Sequence, residues 1–232
     1  MKMKVDVSHK NSALEKLIED PSITIFMDAN LFIPPDRGGK GKPMSFDMFR
    51  SIWLDPLFST LSGLSIHESV YDEFVQDDVK SYVDTKKSAK SNPITVHYNK
   101  NMNVTEQSLM QTYINMIAQH SQYIPARDNK KDRGEVLSLA YMAAKGFIYF
   151  SANDFLPIRL IHEASSLKTG LDNLQIIQMY EMIYYLVKHN AGDKQTLKQL
   201  YKYMYRRTER EKRDNPDWTE FMDGMDALYK AQ

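Results

Sequence analysis

Acidic residues follow two apolar segments of the chain, at positions where they could share one site. Residues 23–27 form a near-continuous apolar run that ends at Asp28, and the apolar residues 147–150 are followed by Asp154. Such runs are typical of strands buried in a parallel sheet, where functional residues gather at the carboxyl ends of the strands. Two carboxylates at one edge repel each other unless a cation lies between them. A divalent cation with oxygen ligands is the simplest partner, so the two segments together predict a metal site.

A predicted helix over residues 134–145 offers two more carboxylates. The helix opens at Asp132, and Asp132 and Glu135 are three residues apart, on one face of this opening turn. Acids there also complement the helix dipole, so a capping role is the alternative for this pair. Asp28 or Asp154 taken singly has a similar alternative, because an Asp after a strand often caps the next turn.

A second predicted helix, over residues 67–75, carries Glu68 and Glu73. These residues are five apart, which separates them by about 140° around a helix, so both are not expected to face one site. Glu73 lies beside the apolar pair Val70 and Phe74 and is the better placed to point inward, while Glu68 stays the alternative. The two strand-end acids, with two acid-bearing helices between them in the sequence, favour the metal site over separate capping roles.

The elements that must position these acids alternate between strand and helix through the first 165 residues, which predicts an α/β fold with a parallel sheet. Strands are expected over residues 23–27, 64–66, 93–98 and 147–150, and helices over residues 12–19, 45–61, 67–75, 105–120, 134–145 and 156–163. Further helices are expected over residues 174–188, 196–212 and 218–230. The predicted organisation is an N-terminal helical lead-in (residues 1–21), an α/β domain (residues 22–170) and a C-terminal helical extension (residues 171–232).

Four segments of the chain resemble, in order, the motifs of the PIN domain, the ribonuclease fold named after the PilT N-terminus. They are ITIFMDANLFI, SIHESVYDEF, DRGEVLSLAYMAAKG and FIYFSANDF. The resemblance covers residues 23–160, well over half of the chain. It implies a PIN-like parallel β-sheet flanked by helices.

The resemblance also implies a function and a set of residues. It matches the catalytic, metal-binding acids to Asp28, Glu73, Glu135 and Asp154, with Asp132 as an accessory acid or alternative ligand. It implies supporting roles, in orienting ligands or water, for Asn30 and Ser151, and Glu68 competes with Glu73 in the second motif. The implied activity is endoribonuclease hydrolysis of RNA phosphodiester bonds with one or two Mg²⁺ or Mn²⁺ ions.

Two basic clusters adjoin the predicted acids in sequence and are candidates for binding nucleic acid. One follows the first acid and comprises Arg37, Lys40 and Lys42, and the other precedes the third acid and comprises Arg127, Lys130, Lys131 and Arg133. Lys and Arg side chains bind phosphate backbones, although a solvated surface is the alternative for any run of charges. The expected substrate is RNA, single-stranded or tRNA. The expected roles are the toxin of a toxin–antitoxin pair or another RNA-processing or defence nuclease. The C-terminal helices are expected to bind an antitoxin, to form a homodimer or to serve an unrelated pathway.

Composition excludes several other classes of protein. The chain has no cysteine, which rules out disulfides, thiolate nucleophiles, zinc fingers and iron–sulfur clusters, and which suits the cytoplasm. No apolar run approaches the roughly 20 residues of a membrane span, so no membrane association is expected. Two alternatives to the ribonuclease remain at this stage: a catalytically weak PIN-fold binding or scaffold protein, and a structure-specific DNA nuclease.

Overall fold

A computed structural model describes residues 4–36 and 44–229. In this part of the chain, five strands form one parallel sheet in the order β3-β2-β1-β4-β5. The strands are β1 (Ile25–Met27), β2 (Leu64–His67), β3 (Thr95–His97), β4 (Tyr149–Ala152) and β5 (Gln175–Gln178). The predicted α/β fold, with a parallel sheet flanked by helices, is confirmed.

Helices cover the sheet and build most of the remaining structure. The α-helices are α1 (Ser12–Glu19), α2 (Phe46–Phe49), α3 (Asp55–Thr60), α4 (Glu68–Tyr71), α5 (Asp77–Lys87), α6 (Val104–Ala118), α7 (Arg133–Lys145), α8 (Phe155–His162), α9 (Ala164–Leu167), α10 (Met179–Lys188), α11 (Lys194–Tyr205), α12 (Glu209–Asp214) and α13 (Trp218–Tyr229). A π-helical turn, Arg50–Leu54, joins α2 to α3, and short 3₁₀ turns, Ala29–Leu31 and Asn99–Asn101, follow β1 and β3. Within the described residues, no helix has the length and apolar character needed to cross a membrane.

The central strand β1 brings the first and last predicted acids to the same edge of the sheet. All three of its residues are buried, because both faces of the sheet are covered by apolar clusters. β1 pairs with β4 so that Met27 is opposite Ser151, and the Asp28 N–H donates to the Ser151 carbonyl at 2.9 Å. The carboxyl ends of the two strands are therefore adjacent.

The two faces of the sheet bury different side chains of β1. Ile25 and Met27 belong to the larger apolar cluster, which also contains the fully buried Trp53. Phe26 points to the other face and packs in a second cluster with Phe150 of β4. This alternation follows from the period-two geometry of a strand, and burial of both faces explains the continuous apolar run in the sequence.

Residues 174–188, predicted to be one helix, begin instead with the edge strand β5 and become helical only from Met179. Ile176 and Ile177 are both buried, on opposite faces of this strand. Because the apolar residues of α10 follow without a break, their helical spacing hid the strand. The segment predicted as a C-terminal helical extension thus starts with a strand of the sheet.

Two other elements also differ in extent from the sequence prediction. The predicted helix over residues 67–75 is the single turn α4. It ends with an α-helical hydrogen bond from Asp72 N to Glu68 O (2.9 Å) and a tighter, 3₁₀-type bond from Glu73 N to Val70 O (3.1 Å). The strand predicted over residues 147–150 lies two residues later, so Ser151 is inside β4 rather than beyond its end.

The C-terminal helices pack against the rest of the molecule. The helix α11 contacts both α10 and the π-helical turn, and Leu197, Leu200 and Tyr201 of α11 are fully buried. Asn215, which follows α12, joins the N-terminal segment to this unit by accepting a hydrogen bond from the Val5 N–H at 2.9 Å. We refer to residues 193–229 as the C-terminal helical unit.

Candidate metal centre

Three carboxylates from separate parts of the chain meet at the carboxyl edge of the sheet. Asp28, Glu135 and Asp154 each offer one oxygen atom, and these atoms all lie within 4.8 Å of one another. Asp28 follows β1, Glu135 lies in the first turn of α7, and Asp154 immediately precedes α8. Carboxylate oxygens are the ligands that Mg²⁺ and Mn²⁺ prefer, so this donor set fits a hard divalent cation.

Asp28 is the most deeply placed of the three acids, with 2% of its surface exposed. Its carboxylate accepts hydrogen bonds from the Ala29 N–H and from the side-chain amide of Asn30. Burial nevertheless raises the pKa of the Asp28 carboxyl well above its usual range. The negative charges of the neighbouring acids raise this pKa further, in the order Glu135, Asp154 and Glu73.

Glu73 is a fourth acid in the same cleft, and it reaches the site because the chain leaves the helical path after α4. Its carboxylate accepts a hydrogen bond from the Gly134 N–H at the start of α7. Burial raises the pKa of Glu73 to about 7, and the charge of Glu135 also raises it. The Gly134 N–H and the positive charge of Arg133 oppose this rise in pKa.

Opposing effects also act on the pKa of Glu135, and the net shift is upward. Burial raises the pKa of its carboxyl, and the charges of Asp132 and Asp154 add to the rise, while its own backbone N–H and Lys131 lower it. Asp154, by contrast, is an exposed residue, so the cluster is open to solvent on that side. A divalent cation bound among these groups would offset the repulsion between their negative charges.

The acids line an open cleft with a volume of about 580 Å³. Its other wall comes from the C-terminal helical unit and comprises Met204, Tyr205, Glu211 and Asn215. Sequence reasoning did not identify these residues as part of a site. Tyr205 lies on the buried, apolar face of α11, where the helical spacing predicts a core position, so only the packing of α11 reveals that it reaches the cleft.

A chain of hydrogen bonds connects this wall to Asp28. The Tyr205 hydroxyl donates to Asn153 Oδ1 at 2.9 Å, and the Asn153 N–H donates to Asn30 Oδ1 at 3.1 Å. The Asn30 amide in turn donates to Asp28 Oδ2. Asn30 therefore lies where a supporting residue for Asp28 was predicted, whereas Asn153 and Tyr205 were not predicted.

Two residues predicted as supporting or alternative groups are directed elsewhere. The Ser151 hydroxyl donates to the Ile177 carbonyl at 2.7 Å and so joins β4 to β5, because Ser151 lies within the strand. Glu68 accepts a hydrogen bond from the Asn99 N–H at 2.9 Å and lies outside the cleft. Of the two acids in the second motif, the structure brings Glu73 to the other carboxylates.

Asp132 is held in the loop before α7. Its Oδ2 accepts a hydrogen bond from the Gln122 N–H at 2.7 Å, and its Oδ1 is 3.5 Å from Lys131 Nζ. Asp132 does not belong to the three-acid cluster, although its charge acts on Glu135. The structure thus supports an electrostatic influence of Asp132 rather than direct ligation.

The predicted basic clusters are only partly described. Arg37, Lys40 and Lys42 lie outside the described residues. In the second cluster, Arg127, Lys130 and Lys131 are exposed. Arg133 donates from Nε to Asp128 Oδ1 at 2.7 Å and is near enough to Glu73 to lower its pKa.

A comparison of the chain with protein-family models, with curated proteins and with solved structures finds no match. The site combines an all-oxygen donor set in an open cleft with one buried and one half-buried carboxyl, Asp28 and Glu73, whose pKa values are raised. These are the features of a site that can hold one or more hard divalent cations and present them to a ligand from solvent.

Proposed function

We propose that this chain is a PIN-like, divalent-cation-dependent endoribonuclease that hydrolyses phosphodiester bonds. The observation that carries the proposal is the meeting of Asp28, Glu135 and Asp154 within 4.8 Å, with Glu73 in the same cleft. These acids come from four separate segments of the chain, and helix capping does not require that they converge. A site of this composition, open to solvent, suits a metal-dependent reaction on a phosphate ester.

The position of each residue in the site indicates its role in the proposed reaction. Asp28, Glu135 and Asp154 would hold Mg²⁺ or Mn²⁺, which when bound supplies an activated water and positive charge for the phosphate. Asn30 orients Asp28 by donating to Oδ2. Glu73, with a pKa of about 7 before a cation binds, can take up or release a proton at its carboxylate near neutral pH.

The choice of RNA rests on the resemblance of the four segments to the PIN domain. Phe155, which directly follows Asp154 and is 39% exposed, lines the cleft and offers a ring on which an unpaired base can stack. Arg127, Lys130 and Lys131 offer exposed charges for the phosphate backbone. Three further points stay predictions: that the protein is a toxin, that it binds an antitoxin or forms a homodimer, and that it is located in the cytoplasm.

Cleavage of a mixed RNA pool that includes tRNA, with Mn²⁺ or Mg²⁺, tests the proposal. We expect cutting that EDTA stops and that Asp28→Asn abolishes. Glu68→Gln is the matched control, because Glu68 lies outside the cleft and a Gln oxygen can still accept the Asn99 N–H. Thermal unfolding of each variant separates loss of activity from loss of fold.

The other outcomes of this experiment distinguish the alternatives. Preferential cutting of a branched DNA included in the same assay would identify a structure-specific DNA nuclease. A folded protein that cuts neither nucleic acid under any of these conditions would contradict the proposal and favour the binding or scaffold protein.

A further inference from the structure

The C-terminal helical unit contributes more than a wall to the cleft, because one of its hydroxyls is bonded to the segment that carries two site residues. Asn153 and Asp154 occupy the short connection between β4 and α8. Tyr205 donates to the Asn153 side chain at 2.9 Å across 52 residues of sequence. This bond anchors the connection to α11.

The same bond acts on Asp28 through a second residue. Asn153 donates its backbone N–H to Asn30 Oδ1 at 3.1 Å, which fixes which end of the Asn30 amide faces Asp28. The amide nitrogen of Asn30 is then directed at Asp28 Oδ2. Movement of Asn153 would therefore change the position of Asp154 by chain connectivity and that of Asp28 by hydrogen bonding.

Tyr205 is itself held firmly enough to serve as an anchor. Its side chain is buried, and its ring packs against Tyr201 at 5.4 Å and against Tyr180 at 6.0 Å between centroids. Its carbonyl accepts a hydrogen bond from Asn215 Nδ2 at 2.8 Å, and Asn215 also bonds Val5. A residue locked by packing and hydrogen bonds can hold its partner within the small tolerance that a metal site needs.

We propose that Tyr205 is a positioning residue for the acidic site, and that the C-terminal helical unit is an integral part of that site. Tyr205 acts through Asn153 on Asp154, and through Asn153 and Asn30 on Asp28. The inference rests on the proposed function for its catalytic consequence, whereas its consequence for cation binding is independent of any nuclease activity. It assigns this unit a role within its own chain, without an antitoxin or a second subunit.

The test compares Tyr205→Phe with Tyr201→Phe in the full chain. The two tyrosines are one turn apart in α11, and the Tyr201 hydroxyl donates at 2.9 Å to the Pro216 carbonyl, outside the cleft. Mn²⁺ affinity is measured by calorimetry, and RNA cleavage is measured alongside it.

We expect Tyr205→Phe to bind Mn²⁺ about 2- to 10-fold more weakly, the size expected for one lost hydrogen bond. We also expect a lower kcat with KM nearly unchanged, and wild-type values for Tyr201→Phe.

A double-mutant cycle with Asn153→Ala shows whether Tyr205 acts through Asn153. If it does, Tyr205→Phe has little further effect on Mn²⁺ affinity once the Asn153 side chain is removed. Fully additive effects would overturn the proposal, as would wild-type Mn²⁺ affinity in Tyr205→Phe or an equal loss in Tyr201→Phe.

The outcomes also separate this inference from the proposed function. A wild-type chain that binds Mn²⁺ but cuts no nucleic acid overturns the nuclease and leaves the positioning role to be decided by the affinities. A wild-type chain that binds no Mn²⁺ overturns both.

Discussion

The Glu73 carboxylate occupies the space that a side chain on residue 134 would need. A Cβ added to Gly134 would lie 2.0 Å from Glu73 Oε1, far inside van der Waals contact. The Gly134 N–H also donates to this carboxylate, so the glycine provides both the space and the hydrogen bond. The first turn of α7 thereby brings Glu73 next to Glu135.

Gly134→Ala is expected to weaken Mn²⁺ binding and cleavage without lowering the stability of the fold. Alanine raises helix propensity by about 0.5–1 kcal/mol, and the group that it would strike is the end of a flexible side chain. We therefore expect the free energy of unfolding in urea to be unchanged or slightly higher. The displaced Glu73 should weaken Mn²⁺ binding and slow cleavage, and Gly134→Ala should add little when Glu73→Gln is already present. A fall in stability of several kcal/mol would show that Glu73 cannot move away.

Glu73 and Glu181 should each make the metal-free protein less stable as the pH rises. Glu73 has a pKa raised from 4.5 to about 7, and the buried Glu181 has a similar rise caused mainly by its burial. Between about pH 4.5 and 7 these two carboxyls bind more protons in the folded state than in the unfolded state, so their contribution to the free energy of unfolding falls with pH. His67, whose burial lowers its pKa to about 4, and His97, whose pKa burial also lowers, offset part of this fall below about pH 6.5. The expected loss is roughly 1–3 kcal/mol after allowance for the solvent exposure of Glu73.

Urea unfolding at pH 5 and pH 8 in EDTA measures this dependence. The matched comparison is the same pair of measurements in saturating Mn²⁺, which should remove the contribution of Glu73 and leave that of Glu181. An equal pH dependence of stability in the metal-free wild type and in metal-free Glu73→Gln would contradict the raised pKa of Glu73.

Asp28→Asn is expected to weaken cation binding while leaving the metal-free protein at least as stable as the wild type. Removal of the buried charge relieves the repulsion from Glu135 and Asp154, so the metal-free variant at pH 8 should be at least as stable as the wild type. Mn²⁺ at about 100 times its Kd should stabilise the wild type by about 2.7 kcal/mol and the variant by much less. Thermal shift over a Mn²⁺ titration is the measurement, and an equal shift in both chains would place the cation elsewhere.

Ser151→Ala distinguishes a sheet residue from a site residue. The resemblance to the PIN domain implies that this hydroxyl orients ligands or water, whereas in the structure it donates to the Ile177 carbonyl at 2.7 Å. We expect Ser151→Ala to lose about 1–2 kcal/mol of stability, because a buried hydrogen bond disappears, and to keep wild-type Mn²⁺ affinity. A loss of affinity with unchanged stability would support the role implied by the resemblance.

Sequence alone was sufficient for the fold class and for the two strand-end acids. Continuous apolar runs predict strands buried on both faces. An acid that follows such a run lies at the carboxyl edge of a parallel sheet. The observed pairing of β1 with β4 then makes Asp28 and Asp154 neighbours. Local sequence was enough here because each inference needed only one segment and the parallel arrangement of strands.

Only the tertiary structure decided the remaining features. Helical spacing separated Glu68 from Glu73, but the packing of α4 and its following turn against α7 determined that Glu73 faces the acids. The sequence did not reveal β5, because this strand precedes a helix of similar apolar character. It did not reveal the role of Tyr205, because Tyr205 lies on an apolar stripe of α11. Their roles depend on strand pairing and a hydrogen bond between residues distant in sequence, and neither interaction leaves a periodic signal in the chain.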